Sequence, residues 1–243
     1  MGLLTRLLPP FADLAGRLAP AHWLPSQCLI CRAWPATPAC PACRARFAPA
    51  MPRCRHCAQP LPQTAGPVCG QCLRKPPPLA HCVVAVSYGW PWQGWVAQFK
   101  FHDATGLAGP MAELMAAAPG AHALLAAADA LTPVPLARER LAERGYNQAL
   151  LLARKLAARK TRPGLLLRTR PTPAQHGLPR PQRLRNVRGA FTAPPEQAVA
   201  VAGKRLLLID DVLTTGATLR AAAQALLKAG AAQVDALVFA RTD

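Results

Sequence analysis

Apolar and polar residues alternate along the chain from residue 82 onward in a pattern that predicts strands and helices in turn. CVVAVSYGW (82–90) and QVDALVFARTD (233–243) are rich in β-branched and aromatic residues, which indicates strands. DALTPVPL (129–136) predicts a short strand that its prolines end. GKRLLLIDDV (203–212) contains a continuous apolar run and predicts a buried strand.

The segments between these strands have the apolar spacing of helices. The stretch from Val96 to Ala118 predicts a helix that begins at about residue 106, after Lys100 and His102. RGYNQALLLARKLAARK (144–160) and TLRAAAQALLKAGA (218–231) predict two more helices, the second ended by a glycine. Strands that alternate with helices predict an α/β domain with a mostly parallel sheet flanked by helices.

Charge is distributed unevenly over the 243 residues, whose formal net charge is +18. Residues 136–190 carry 14 basic and 2 acidic side chains, whereas residues 76–135 carry 1 basic and 3 acidic ones. A local excess of this size attracts polyanions such as nucleic acid, pyrophosphate or phosphorylated sugars. The alternative is an arginine-rich composition without a specific partner, but the acidic segment shows that the excess is not uniform.

The sequence shows neither a membrane span nor a signal peptide. Because the chain lacks a run of about 18 apolar residues, we expect no membrane span. Residues 1–25 form a weakly amphipathic segment that Pro9 and Pro10 interrupt, and they lack the continuous apolar stretch of a signal peptide. We therefore expect a cytoplasmic protein with a cysteine-rich domain at residues 26–76 and the α/β domain at residues 82–243.

The cysteine-rich domain contains four C-x-x-C pairs with identical internal spacing. Such a knuckle lets two thiolates approach one metal ion from a tight turn, and two knuckles complete a tetrahedral site. We expect two structural zinc ions, and sequential pairing of the knuckles is the simplest arrangement, although the spacing also allows interleaved pairing. The predicted ligands are Cys28, Cys31, Cys40, Cys43, Cys54, Cys57, Cys69 and Cys72.

Other roles for these cysteines fit the sequence less well. Disulfides suit exported proteins, and nothing in the sequence directs export. Redox-active C-x-x-C motifs usually occur singly, and iron–sulfur proteins have other spacings. His56 lies inside the third knuckle, where a bystander role is the simpler interpretation, and Cys82 is predicted to be a buried strand cysteine.

The segment LLLIDDVLTTGATL (206–219) carries the most specific chemistry. A buried strand ends in Asp210 and Asp211 and continues into a hydroxyl-rich loop at the start of a helix. In α/β sheets, ligands bind at the carboxyl ends of strands, where unpaired backbone N–H groups at helix N-termini hold phosphate. Carboxylates repel phosphate but accept hydrogen bonds from vicinal hydroxyls, so the pattern predicts a ribose 5-phosphate site. The predicted phosphate ligands are Thr214, Thr215, Gly216, Ala217 and Thr218.

This segment resembles the signature of type I phosphoribosyltransferases, which bind 5-phosphoribosyl 1-pyrophosphate (PRPP). The resemblance implies that Asp210 and Asp211 are the catalytic-site acids that hold the ribose 2- and 3-hydroxyls, while residues 214–218 hold the 5-phosphate. It also implies that Mg²⁺ binds mainly through oxygen atoms of PRPP itself.

The whole layout resembles the ComF family, which includes the ComF and ComFC competence proteins and GntX. The resemblance rests on the cysteine knuckles, LTPVPLARERLAERGYNQA (131–149), RPTPAQHGLPRPQRLRNVRGAF (170–191) and the acidic signature. It implies a type I phosphoribosyltransferase-like domain after a double zinc ribbon. In related enzymes the pyrophosphate loop follows LTPVPL, so Arg138, Arg140 and Arg144 are predicted to contact pyrophosphate.

Two functions agree with this resemblance. The first is Mg²⁺-dependent transfer of phosphoribosyl from PRPP to an acceptor that the sequence does not identify, with the basic loop at 168–190 closing over PRPP. The second is non-catalytic binding of single-stranded DNA or assembly with DNA-uptake proteins. The aromatic residues between Trp90 and Phe101 are expected to pack in the core and between the domains and not to stack on bases.

Overall fold

The computed structural model of the protein describes residues 26–169 and 189–242. The segment 1–25 and most of the predicted closing loop lie outside the described residues. The strands are β1 Cys82–Ser87, β2 Ala130–Pro133, β3 Leu167–Arg168, β4 Phe191–Thr192, β5 Arg205–Leu213 and β6 Gln233–Arg241. The helices are α1 Pro41–Phe47, α2 Gly70–Arg74, α3 Trp92–Phe101, α4 Ala108–Ala117, α5 Ala121–Ala127, α6 Arg138–Arg144, α7 Gln148–Ala157, α8 Ala198–Val201 and α9 Ala217–Lys228.

The central sheet has the strand order β1-β6-β5-β2, and all its neighbouring strands are parallel. This confirms the predicted mostly parallel sheet. β5 is an inner strand because it pairs with β6 on one side and with β2 on the other. β2 ends at Pro133 opposite Ile209, so the residues of β5 from Asp210 onward lie at the carboxyl edge of the sheet.

Both faces of the sheet are buried. Leu206 to Ile209 have no exposed surface although successive side chains of a strand point to opposite faces. Helix α4 contacts α5, α7, β1 and β6, and α7 contacts β2 and β5. Helix α9 contacts β4, β5 and β6, and its Leu219, Ala222 and Leu226 join the core cluster that contains Leu206 and Leu208. The continuous apolar run of β5 follows from this burial on both sides.

The helices predicted from about residue 106, at 144–160 and at 218–231 correspond to α4, α7 and α9, whereas α3, α5 and α6 were not predicted. Helix α3 begins at Trp92, so the expectation that Lys100 precedes the first helix of this domain was wrong: Lys100 lies in the last turn of α3. Helix α7 begins where the Asn147 side chain accepts a hydrogen bond from the Leu150 amide at 3.3 Å. The Asn147 side-chain amide also donates to the Val134 carbonyl at 3.0 Å, which attaches the start of α7 to the end of β2.

The chain divides into two compact units between Arg44 and Ala45. The first unit holds the first two cysteine knuckles, and the second unit holds the other two knuckles together with the parallel sheet. The domain limits predicted from the sequence, 26–76 and 82–243, stay a prediction. Within the described residues, no helix has the length and apolar composition needed to cross a bilayer.

Candidate functional site

Asp210 and Asp211 lie where β5 reaches the carboxyl edge of the sheet. Asp211 is 6% exposed and Asp210 is half-buried, because the alternation of the strand turns them to opposite faces. Asp210 Oδ1 accepts a hydrogen bond from the Asp211 amide at 2.9 Å. Two adjacent carboxylates in a partly desolvated position are costly unless cations or ligands compensate them.

Lys100 compensates one of the two acids. Its Nζ lies 3.0 Å from Asp211 Oδ1, and the lysine side chain is only 21% exposed. Burial raises the pKa of Asp210 to about 7, the Asp211 charge adds to this rise, and Lys100 and Arg168 offset part of it. The sequence did not indicate this ion pair, since 111 positions separate the two residues and α3 was not predicted.

The loop after the two acids leads directly into α9. Gly216 has φ +75°, in the left-handed region that favours glycine, and it is the residue before the first turn of the helix. The Ala217 amide donates to Thr215 Oγ1 at 3.4 Å. α9 is 12 residues long, so its N-terminus carries the positive end of a full helix dipole. The structure thus places the predicted residues 214–218 next to the two acids at one edge of the sheet.

The predicted pyrophosphate arginines lie on a helix. Arg138, Arg140 and Arg144 all belong to α6, which has no buried residues. Arg144 Nη1 donates to Gln148 Oε1 at 2.9 Å, and its guanidinium lies over the Phe101 ring at 5.3 Å from the centroid. Burial lowers the pKa of Arg168, the Arg140 charge lowers it further, and the Asp210 charge raises it.

These electrostatic effects place Arg140, Arg168 and Asp210 in one neighbourhood. Arg168, which belongs to β3, also lies over the Phe191 ring at 5.5 Å. Of the predicted closing loop 168–190, residues 170–188 and with them His176 lie outside the described residues. The carboxyl edge therefore combines two carboxylates, a lysine and the loop at 214–218, and the Asp210 charge also acts on Arg168.

The four knuckles form two four-cysteine clusters. Sulfur atoms of Cys28, Cys31, Cys40 and Cys43 lie within 4.8 Å of one another, and so do those of Cys54, Cys57, Cys69 and Cys72. The grouping is sequential, which settles the alternative that the spacing had left open. Cys31 and Cys40 Sγ are 3.7 Å apart, as are Cys57 and Cys69 Sγ. Four sulfurs at about 2.3 Å from one tetrahedral zinc would be roughly 3.8 Å apart, so both clusters have the geometry of a structural zinc site.

Backbone amides support the thiolate form of one cysteine in each cluster, Cys28 and Cys54. The Cys40 amide donates to Cys28 Sγ at 3.5 Å, and the Cys69 amide donates to Cys54 Sγ at 3.3 Å. Burial acts to raise the pKa of Cys28, but amide hydrogen bonds outweigh it and lower the pKa to about 6. The same balance lowers the pKa of Cys54 to about 7. Deprotonated thiols are the form that binds metal.

The other residues singled out in the sequence are His56, Cys82 and the aromatic group between Trp90 and Phe101. His56 is not in either cluster, and its Nδ1 lies 3.1 Å from the Leu79 carbonyl oxygen. Cys82 is 4% exposed in β1, as predicted. Of the aromatic group, Trp92, Trp95 and Phe99 are buried in the core, whereas Trp90 and Phe101 are 65% and 61% exposed.

Comparisons with known proteins agree with this site. The family model described as the phosphoribosyl transferase domain matches residues 181–242, which contain β5, the loop and α9. The chain is 34% identical over 196 residues to the DNA utilization protein YhgH of Escherichia coli, covering 78% of this chain and 84% of the relative.

Two competence proteins are also similar to the chain. Competence protein F of Haemophilus influenzae is 32% identical over 199 residues, covering 79% of this chain and 86% of the relative. Competence protein ComFC of Bacillus subtilis is 35% identical over 123 residues, covering 46% of this chain and 44% of the relative. Because identity of this size extends over most of the first two relatives, the chain belongs to the ComF family, whose members carry a phosphoribosyl transferase domain.

Proposed function

We propose that the protein binds PRPP with Mg²⁺ at the carboxyl end of β5 and transfers the phosphoribosyl group to an acceptor. The observation that carries this proposal is the direct succession of the two acids, the loop at 214–218 and the N-terminus of α9 at one sheet edge. A group suited to a diol and a group suited to a phosphate then follow one another at the same edge, as a ribose 5-phosphate ligand would require.

The carboxylates of Asp210 and Asp211 would accept hydrogen bonds from the ribose 2- and 3-hydroxyls. Lys100 Nζ lies 3.0 Å from Asp211 Oδ1 and offsets the charge of this carboxylate, whose other oxygen can accept from a hydroxyl. Asp210 has its pKa raised to about 7, so a proton competes with the diol for this carboxylate at neutral pH. Diol binding should therefore strengthen as the pH rises from 6 to 8.

The phosphate end would bind to the loop and the start of α9. The left-handed conformation of Gly216 exposes backbone amides in the first turn, and the loop threonines add hydroxyl donors. This arrangement needs no side-chain charge within the loop itself.

The reaction would be a displacement at the anomeric carbon. The C1–O bond to pyrophosphate breaks with its electron pair, a bond from the acceptor to C1 forms, and the acceptor gives up one proton. In this proposal Arg138, Arg140 and Arg144 neutralise the departing pyrophosphate; the three arginines share helix α6, and the Arg140 and Asp210 charges both act on Arg168. Mg²⁺, bound mainly by PRPP oxygens, would supply further charge neutralisation when present.

Calorimetric titration of PRPP with Mg²⁺ into the full-length, zinc-loaded protein tests this proposal. The Asp210→Asn/Asp211→Asn variant should lose saturable binding. Asp129→Asn is a matched control, because this exposed acid accepts a hydrogen bond from the Arg205 amide at the opposite end of β5. Absence of PRPP binding to the folded wild type, or equal binding by the double variant, would refute the proposed site.

Binding of single-stranded DNA is the second candidate function. The observation that favours it is a group of four exposed basic side chains in the last turn of α7 and in the segment that follows the helix. They are Arg154, Lys155, Arg159 and Arg162. The Arg162 amide donates to the Leu131 carbonyl, so this stretch ends near the middle of β2, whereas α7 begins at the β2 end that faces Asp210. The basic stretch therefore runs away from the proposed PRPP site.

The separation of these two surfaces gives a discriminating test. Replacing the four basic residues by glutamine should weaken binding of a fluorescent oligonucleotide and make it less dependent on salt. The same change should leave PRPP titration as in the wild type. Unchanged oligonucleotide affinity would show that this stretch is a solvated surface.

A further inference from the structure

A cleft of about 210 Å³ lies between the second four-cysteine cluster and the loop at the start of α9. Cys57 and Cys69 line one side, and Thr215 and Gly216 line the other. All of its lining residues belong to the second compact unit. The residues that line the cleft include two arginines and His56 but no aspartate or glutamate.

Arg241 is the first of these arginines and is unusually buried. It is 7% exposed at the end of β6, and its Nη2 donates to Gln59 Oε1 at 2.6 Å. Its Nε is buried and has no hydrogen-bond partner. A guanidinium carries a permanent charge, and leaving one of its donors desolvated and unpaired is costly. An anion in the cleft would supply the missing acceptor.

Arg220 is the second arginine and lies directly beside the phosphate loop. A Cβ atom at Gly216 would lie 3.8 Å from Arg220 Nε and 3.5 Å from Leu213 Cδ1. Leu213 in turn is the neighbour of Arg241 across the β5–β6 pair. The two guanidinium groups thus approach the same loop from α9 and from β6.

We propose that this cleft binds a phosphate monoester, with Arg220 and Arg241 donating to its oxygen atoms beside Thr215 and Gly216. The inference rests on the proposed function, because it extends the 5-phosphate site from the loop to two arginines outside the loop motif. A phosphate group fits the site because two guanidinium groups beside the loop offer several charged donors to its oxygen atoms, one of them the unpaired Arg241 Nε.

The second four-cysteine cluster is a structural part of this cleft. Gln59 follows Cys57 by two positions and holds Arg241 through its 2.6 Å hydrogen bond. The Cys82 amide, at the start of β1, donates to the Arg55 carbonyl, which attaches the third knuckle to the sheet. The third knuckle therefore holds Gln59, and through it Arg241, in the lining of the cleft.

Calorimetric titration of the full-length, zinc-loaded protein with inorganic phosphate, ribose 5-phosphate and ribose tests this inference. Arg220→Gln should weaken ribose 5-phosphate and phosphate binding by about tenfold, the effect of losing one charge-assisted hydrogen bond. Arg241→Lys keeps the charge but loses the forked donors, so a weakening of about fivefold or more is expected. Arg205→Gln, an exposed arginine at the opposite end of β5, is the matched control and should change neither affinity.

The aspartate variant separates this inference from the proposed function. Phosphate has no diol, so Asp210→Asn/Asp211→Asn should lose PRPP binding and retain phosphate binding. If PRPP does not bind but phosphate binds and Arg220→Gln weakens it, the cleft inference stands and the proposed function fails. If Arg220→Gln and Arg241→Lys, both folded by circular dichroism and zinc content, bind phosphate and ribose 5-phosphate as Arg205→Gln does, the inference is overturned. Failure of the wild type to bind any of the phosphate probes overturns it as well.

Discussion

Replacing Asp210 by asparagine should stabilise the free protein, although it removes a proposed ligand-binding group. Burial and the neighbouring Asp211 charge raise the pKa of Asp210 to about 7. The ordinary value is about 3.9, so the ionised form is disfavoured in the folded state relative to the unfolded one. Asparagine has nearly the same shape as aspartate. Its Oδ1 can still accept the 2.9 Å hydrogen bond that the Asp211 amide donates to Asp210.

The magnitude follows from the difference between the two pKa values. A rise of about three pH units corresponds to about 4 kcal/mol of lost stability once the pH exceeds the folded pKa. The folded state binds more protons than the unfolded state between about pH 4 and pH 7, so wild-type stability falls by about 1.4 kcal/mol per pH unit in this interval and levels off above it. Because Asp210 is only half-buried, we expect a gain of about 2–4 kcal/mol for Asp210→Asn at pH 8.5.

Urea unfolding of the zinc-loaded wild type and variant at pH 6 and pH 8.5 measures this effect. The stabilisation by Asp210→Asn should be larger at pH 8.5 by about 1.4 kcal/mol or somewhat less. Asp129→Asn, at the exposed opposite end of β5, is the matched control for the substitution itself. A variant that is no more stable than the wild type at pH 8.5, or a gain that is equal at both pH values, would refute the desolvation argument.

Three further predictions concern the loop, a helix start and the metal. Gly216→Ala places a side chain at φ +75° and should lower the free energy of unfolding by about 1–2 kcal/mol in urea titrations, and no loss would show that the loop rearranges without strain. Asn147→Ala removes both the helix cap and the donor to Val134 and should cost about 1–3 kcal/mol, whereas Asn147→Asp should keep the cap and lose less; equal losses would contradict the cap. After thiol modification releases bound zinc, a zinc indicator should find two zinc ions per wild-type chain and one per Cys57→Ser chain. A Cys57→Ser protein that keeps both ions would contradict the second cluster as a zinc site.

Local sequence patterns predicted the elements that carry the candidate site. The apolar run of β5, the acids, the hydroxyl-rich loop and α9 are contiguous in sequence, so hydrophobic periodicity and turn chemistry were sufficient to place them. The C-x-x-C pairs likewise predicted two clusters, because thiolate spacing within a short loop is a local property.

Helix α3 was missed because its pattern is not amphipathic. Trp92, Trp95 and Phe99 are buried, but Trp90 and Phe101 at either end are exposed, so aromatic residues occur on both sides of the boundary between core and solvent. A window of sequence cannot distinguish these positions, since tertiary packing decides which aromatic side chains are covered. The position of Lys100 depended on this helix.

By itself the sequence predicted a parallel α/β domain whose strand ends in two acids, a following loop suited to phosphate, and four C-x-x-C knuckles suited to metal. Each of these features depends on residues that are neighbours in the chain. The tertiary structure decided what no local pattern contains: the ion pair between Lys100 and Asp211, the pKa of Asp210 near 7, and the approach of Arg220 and Arg241 to one cleft. These properties depend on distances between residues far apart in the chain and on the water that the fold excludes between them.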